Sequence, residues 1–113
     1  MHRKIAIPVN DHGILDAHFG HCRYFTILTT ENNTILSEEK HTPPPHEPGL
    51  LPRWLADMGV TDIIAGGMGQ KAIQIFNSSG VNAFVGAPVM SARELAQGFL
   101  EKSIEFAANY CDH

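Results

Sequence analysis

The chain has 113 residues, of which 43% are hydrophobic and 18% charged, and its net charge is −4. That describes one globular domain, residues 1–113, with its own core, and the acidic balance argues against a nucleic-acid surface, which needs clustered Lys and Arg. No apolar run approaches the roughly 20 residues that span a bilayer, and Met1-His2-Arg3-Lys4 leads into a strand pattern rather than a secretory signal, so the expected location is the cytoplasm, with Cys22 and Cys111 kept reduced.

Lys4 to Val9 alternates, with Ile5, Ile7 and Val9 on one face, and predicts the first strand. A loop from Asn10 follows and holds His18-Phe19-Gly20-His21-Cys22. Two imidazoles and a thiol this close together are groups that ligate soft or borderline metals, and Gly20 allows the turn they would need to converge. With Gly13 and Gly20 and few apolar anchors, the loop from Asp11 to His21 is expected to be poorly ordered until a ligand binds.

Tyr24 to Thr30 is β-branched and aromatic, Glu31-Asn32-Asn33 is a turn, and Thr34 to Lys40 is a third strand. The links are too short for crossover helices, so each strand should pair antiparallel with the one before. His41 to Gly49 is a loop with four prolines, and their stiffness would hold His41 and His46 in defined places. A helix with Leu51, Trp54, Leu55 and Met58 on one stripe stops at Gly59, and Thr61 to Ala65 is a short strand buried on both faces. Gly66-Gly67-Met68-Gly69 turns that strand into a helix from Gln70 to Ser79. Such a turn offers free N–H groups and a positive helix end to an anion, although it matches neither a Walker A loop nor a dinucleotide fingerprint. Val81 to Val85 is the fifth strand. Ser91 and Glu94 form a capping box, and the apolar stripe from Ala92 to Ile104 predicts one unbroken helix to about Asn109. That helix would carry Cys111 and His113 to the far edge of the sheet, where they could serve only a second site or a neighbouring subunit.

The order βββαβαβα predicts a three-layer α/β/α fold with a mixed five-stranded sheet. Its first strand is central, its second antiparallel to the rest, and helices cover both faces. The loops after strands 1, 3, 4 and 5 then crowd one sheet edge, where open α/β sheets bind ligands. Five of the seven histidines, His12, His18, His21, His41 and His46, fall there with Cys22.

Ile-Ala-Ile-Pro-Val in the first strand, His18-Phe19-Gly20 with Phe25, Ile64-Ala65-Gly66-Gly67-Met68-Gly69, Gly80-Val81-Asn82 and Val85-Gly86 together resemble the dinitrogenase iron–molybdenum cofactor biosynthesis domain family. The resemblance runs from about Ile5 to Phe99. It implies a ribonuclease-H-like fold and a non-catalytic protein that binds or carries a metal–sulfur cluster, of iron, molybdenum or both, or its precursor, with cluster-assembly proteins as partners. The preferred metal ligands are His18, His21 and Cys22, with His46 and His12 behind them. Gly66, Gly67, Met68 and Gly69 would contact the cofactor. His21-Cys22 and Cys111-Asp112-His113 are not general to that family. Two other classes compete. A nuclease needs clustered carboxylates around Mg²⁺, yet Asp11, Asp16, Asp57 and Asp62 are scattered. A cofactor-free interaction module would use the glycine turns only as architecture.

Overall fold

The computed structural model of the chain describes residues 2–16, 19, 22–45 and 49–110. Its first strand, β1 (His2–Val9), is the axis of the fold: Ile5, Ala6, Ile7 and Val9 are fully buried. Each larger one contributes about 1.5–3 kcal/mol relative to exposure. Both faces of β1 need cover, and both receive it. β2 (Tyr24–Glu31) pairs with β1 antiparallel, Ile5 opposite Leu28, and β3 (Thr34–His41) pairs antiparallel with β2. Asn32 and Asn33, both at positive φ (49° and 68°), make the tight turn between them.

β4 (Asp62–Ile64) runs parallel to β1 on its other side, and β5 (Asn82–Val85) parallel to β4. Helices α1 (Leu50–Asp57) and α2 (Gln70–Ser78) cover one face. There Leu51, Leu55 and Phe76 join Ala6, Phe25, Ile27 and Ile63. Helix α3 (Ala92–Glu101) covers the other, placing Leu95, Ala96 and Leu100 against Ile5, Ile7, Leu28 and Ile64. Strand 1 is central and strand 2 reversed, as the pattern required, and the loops after β1, β3, β4 and β5 share one edge.

Two expectations are corrected. The sheet has six strands, ordered β3-β2-β1-β4-β5-β6, because Ala108–Tyr110 forms β6, antiparallel to β5. The last helix is correspondingly not unbroken to Asn109. It ends at Glu101, and Lys102 takes a left-handed conformation (φ 59°) while Ser103 N–H donates to the Gly98 carbonyl at 2.9 Å. The spacing that extended the helix to Ile104 has another physical origin: the chain doubles back and lays Ile104 against Gly98, where a Cβ would collide with it. Gly98 is therefore a crossing point inside the helix.

The capping box is present, with Glu94 N–H donating to Ser91 Oγ at 3.2 Å and Ser91 N–H to Glu94 Oε1 at 3.4 Å. Asp62 is fully buried at the start of β4. Its carboxylate accepts from Arg3 at 3.1 and 3.2 Å, from Asn82 Nδ2 at 3.1 Å and from Thr61 Oγ1 at 2.7 Å.

Candidate functional site

The edge where β1, β3, β4 and β5 end is knitted together by backbone hydrogen bonds. Asp16 N–H donates to the Pro8 carbonyl and Leu15 N–H to the Met90 carbonyl, both at 2.9 Å, so the loop after β1 is tied to the one before α3. Gly86 N–H donates to Gly66 (3.0 Å) and Ala87 N–H to Ala65 (3.2 Å), which ties that same segment to the glycine turn. Asn10 Oδ1 accepts from the N–H groups of His12 (2.8 Å) and Ile14 (3.2 Å), closing a side-chain turn. Leu15 is buried. The described part of the loop, Asp11 to Asp16, is thus tied to its neighbours by hydrogen bonds, while most of the remaining stretch to His21, expected to be poorly ordered, lies outside the described residues.

Phe19 is buried in the core. Its ring packs edge-on against Phe25 (5.7 Å between centroids) and Phe76 (5.6 Å), and Phe25 continues to Trp54 (5.9 Å) and Trp54 to His41 (6.4 Å). A row of rings therefore runs from α2 along that face of the sheet to the end of β3. Cys22 belongs to the same buried cluster, with 8% of its surface exposed. Burial first, and the nearby Asp16 carboxylate second, push its thiol up to about 12 against a partial pull from a backbone hydrogen bond. As it stands, Cys22 is a neutral thiol.

Cys22 opens onto a cleft of about 610 Å³ lined also by Asn10, Asp11, Asp16, Tyr24 and Thr42. Asp11 pairs with Arg23 at 3.1 Å across its mouth. His12 lies on the exposed turn and borders a different depression, with Glu38 and Lys40, so Asp11 is the residue the two hollows share. The remaining histidine candidates, His18, His21 and His46, lie outside the described residues, as do Cys111 and His113. Among the described residues no three of His, Cys, Asp and Glu come together as a metal site. Asp16 was not singled out in the sequence, and no spacing marks it. Its role beside Cys22 is made by the folded loop.

The glycine turn carries the clearest signal. Met68 packs against the cluster that holds Phe19 and Cys22, so turn and loop meet over one core. Gly69 is the N-cap of α2, in extended conformation and with no side-chain cap. Neither Gly67 nor Gly69 has positive φ, and among the described residues a Cβ on either would meet nothing within 4 Å. Backbone shape does not ask for glycine here, and neither does packing. The N–H groups of Gly66, Gly67, Met68 and Gly69 have no acceptor among the described residues. Open space over unengaged N–H donors suits an anionic group. With a buried soft thiol on the same core, the donor set fits an anionic metal–sulfur species.

A family model for the dinitrogenase iron–molybdenum cofactor domain matches residues 1–102. This chain belongs to that family. An uncharacterised protein of Methanocaldococcus jannaschii is 34% identical over 107 residues, covering 90% of this chain and 89% of its own. Among solved structures, that of PH0822 superposes with a TM-score of 0.85 at 27% identity, covering 92% of this chain and 94% of the other. The apo form of the orange protein from Desulfovibrio gigas gives 0.78 at 22% identity, covering 94% and 93%, which shows a shared fold. In this dinitrogenase cofactor-type domain, Phe19, Phe25 and Met68 of the glycine turn meet in one core cluster.

Proposed function

We propose that this chain is a non-catalytic binder or carrier of a metal–sulfur cluster of iron, molybdenum or both, or of its precursor, serving cofactor assembly. The observation that carries the reading is the turn at Gly66 to Gly69, in which Gly67 and Gly69 are needed neither for backbone conformation nor for packing against the described residues. They leave room for a group to reach the backbone N–H donors. His18, His21 and Cys22 would hold the metal, with His46 and His12 as further ligands, and Gly66, Gly67, Met68 and Gly69 would face the anionic sulfur. A bound metal would supply the positive charge that Cys22 lacks, and the thiol would release its proton on binding. Cluster-assembly proteins are the fitting partners. A nuclease reading loses ground because the carboxylate of Asp62 is committed to Arg3, Asn82 and Thr61.

Metal and acid-labile sulfide analysis of protein purified without oxygen, followed by reconstitution with iron, molybdate and sulfide, tests this. We expect a coloured protein that retains metal through gel filtration, with uptake lost in Cys22→Ala and His18→Ala. A colourless, metal-free protein that takes up nothing on reconstitution would sink the proposal in favour of a cofactor-free interaction module.

A further inference from the structure

We infer that the opposite face of the sheet, beneath α3, holds a second small-molecule site for a compact aromatic anion, an aromatic ring system bearing a carboxylate or phosphate. A cavity of about 590 Å³ lies there, bounded by α3, β5 and the return segment after Lys102. That volume falls within the roughly 300–1,000 Å³ of small-molecule sites. Its wall is aromatic: Phe84, Phe99 and Phe106 form a triad with centroid separations of 4.9, 5.4 and 6.1 Å. Such rings accept a further aromatic ring stacked or edge-on.

Two cations border the same cavity. Arg3 lies with its guanidinium 5.4 Å from the centre of the Phe99 ring, and one of its terminal nitrogens is fixed by the fully buried Asp62 carboxylate. Its other terminal nitrogen and Nε have no acceptor among the described residues. A guanidinium held at one terminal nitrogen, with Nε and the other terminal nitrogen unengaged by the described residues, keeps a two-donor edge for a planar oxyanion. Lys102 is the second cation, and it has no carboxylate partner among the described residues. It occupies the left-handed C-cap of α3 (φ 59°, ψ 32°), a conformation for which glycine or asparagine is the easy choice. A long cationic side chain held there against preference, and bordering a cavity, is a local rule broken where a function would use it.

The cavity is also a specified feature of the chain. Its outer wall, Ile104 and Phe106, is held in place by Gly98, which lets Ile104 cross α3, and by Gly86 (φ 80°), which lets Ala107 approach β5. The wall lies beyond residue 102, where the family model stops matching. This site is therefore separate from the cofactor edge and stands or falls independently of it.

Calorimetric titration of the full chain with naphthoate and with AMP, each beside its uncharged counterpart (naphthylmethanol and adenosine), tests the inference. At least one of the two acids should bind saturably and shift the ring protons of Phe84, Phe99 and Phe106 in NMR spectra. Which acid binds tells carboxylate from phosphate. Lys102→Gly suits the left-handed backbone and keeps the fold, yet it should weaken the bound acid roughly tenfold, the loss of about one charge-assisted hydrogen bond, and leave the uncharged analogue unchanged. The inference is overturned if neither acid saturates, if Lys102→Gly binds as tightly as the parent, or if the shifts fall on the glycine turn.

Discussion

A Cβ placed on Gly67 or Gly69 would meet no described atom within 4 Å, whereas one on Gly86 would stand 2.7 Å from the backbone nitrogen of Ala107. One on Gly98 would run into the side chain of Ile104. The turn after β4 and the return segment after α3 thus use glycine for opposite reasons. Facing the return segment, Gly86 and Gly98 let the chain cross itself closely, so their demand is visible in the protein's own packing. In the turn, Gly67 and Gly69 border space that no described atom fills, and under the proposed function an anionic group would enter it. Counting glycines in the sequence does not separate the two uses. Measuring what surrounds each one does.

The comparison can be broken most directly at Gly86. Gly86→Val combines a left-handed backbone, costing about 1–2 kcal/mol, with a clash against backbone, about 1–3 kcal/mol. The expected loss is about 3 kcal/mol, a fall in Tm of at least about 10 °C, read by differential scanning calorimetry. An unchanged Tm would mean that the return segment does not depend on that crossing.

Alkaline titration probes the cofactor edge next. The Cys22 thiol is pushed up to about 12 from an ordinary value of 9.0. Between those values the native protein holds a proton that the unfolded chain has released, so stability is full below about pH 9 and falls as pH rises toward 12. Urea unfolding at a series of pH values should show this decline, and Cys22→Ala should flatten it. Alkylation of the metal-free native protein should likewise keep accelerating beyond pH 9, because the thiolate is the nucleophile. A plateau near pH 9 would place Cys22 in a more solvated setting.

The smallest expected change in stability is at the turn. Gly67→Val should alter unfolding free energy by no more than about 0.5 kcal/mol, as for a substitution that touches little, while it sharply lowers cluster uptake on reconstitution. A loss of stability like that of Gly86→Val would erase the contrast and make the turn plain architecture.

Most of the fold was legible in the chain because the signals were local. The period-two pattern around Ile5, Ile7 and Val9, the Asn32-Asn33 turn and the Ser91–Glu94 box each fix their own conformation within a few residues. Short links then required the reversed second strand, and the two later βα units put the loops on one edge. Of the site, the density of His and Cys and the run Gly66 to Gly69 could be read directly. The neutral state of Cys22 could not, since it depends on burial in the core cluster and on Asp16, brought close only by folding.

Residue order by itself determined the strands, the sense of their pairing through β5 and the sheet edge that the loops after β1, β3, β4 and β5 share. Tertiary structure alone decided where α3 ends. Ile104 continues the helical stripe and equally well packs back onto Gly98, so periodicity cannot choose between the two. The choice falls to the unpaired edge of β5, whose N–H and C=O groups gain partners when Ala108–Tyr110 folds back as β6. A helix running on to Asn109 would have left that edge unpaired and Phe106 away from Phe84 and Phe99.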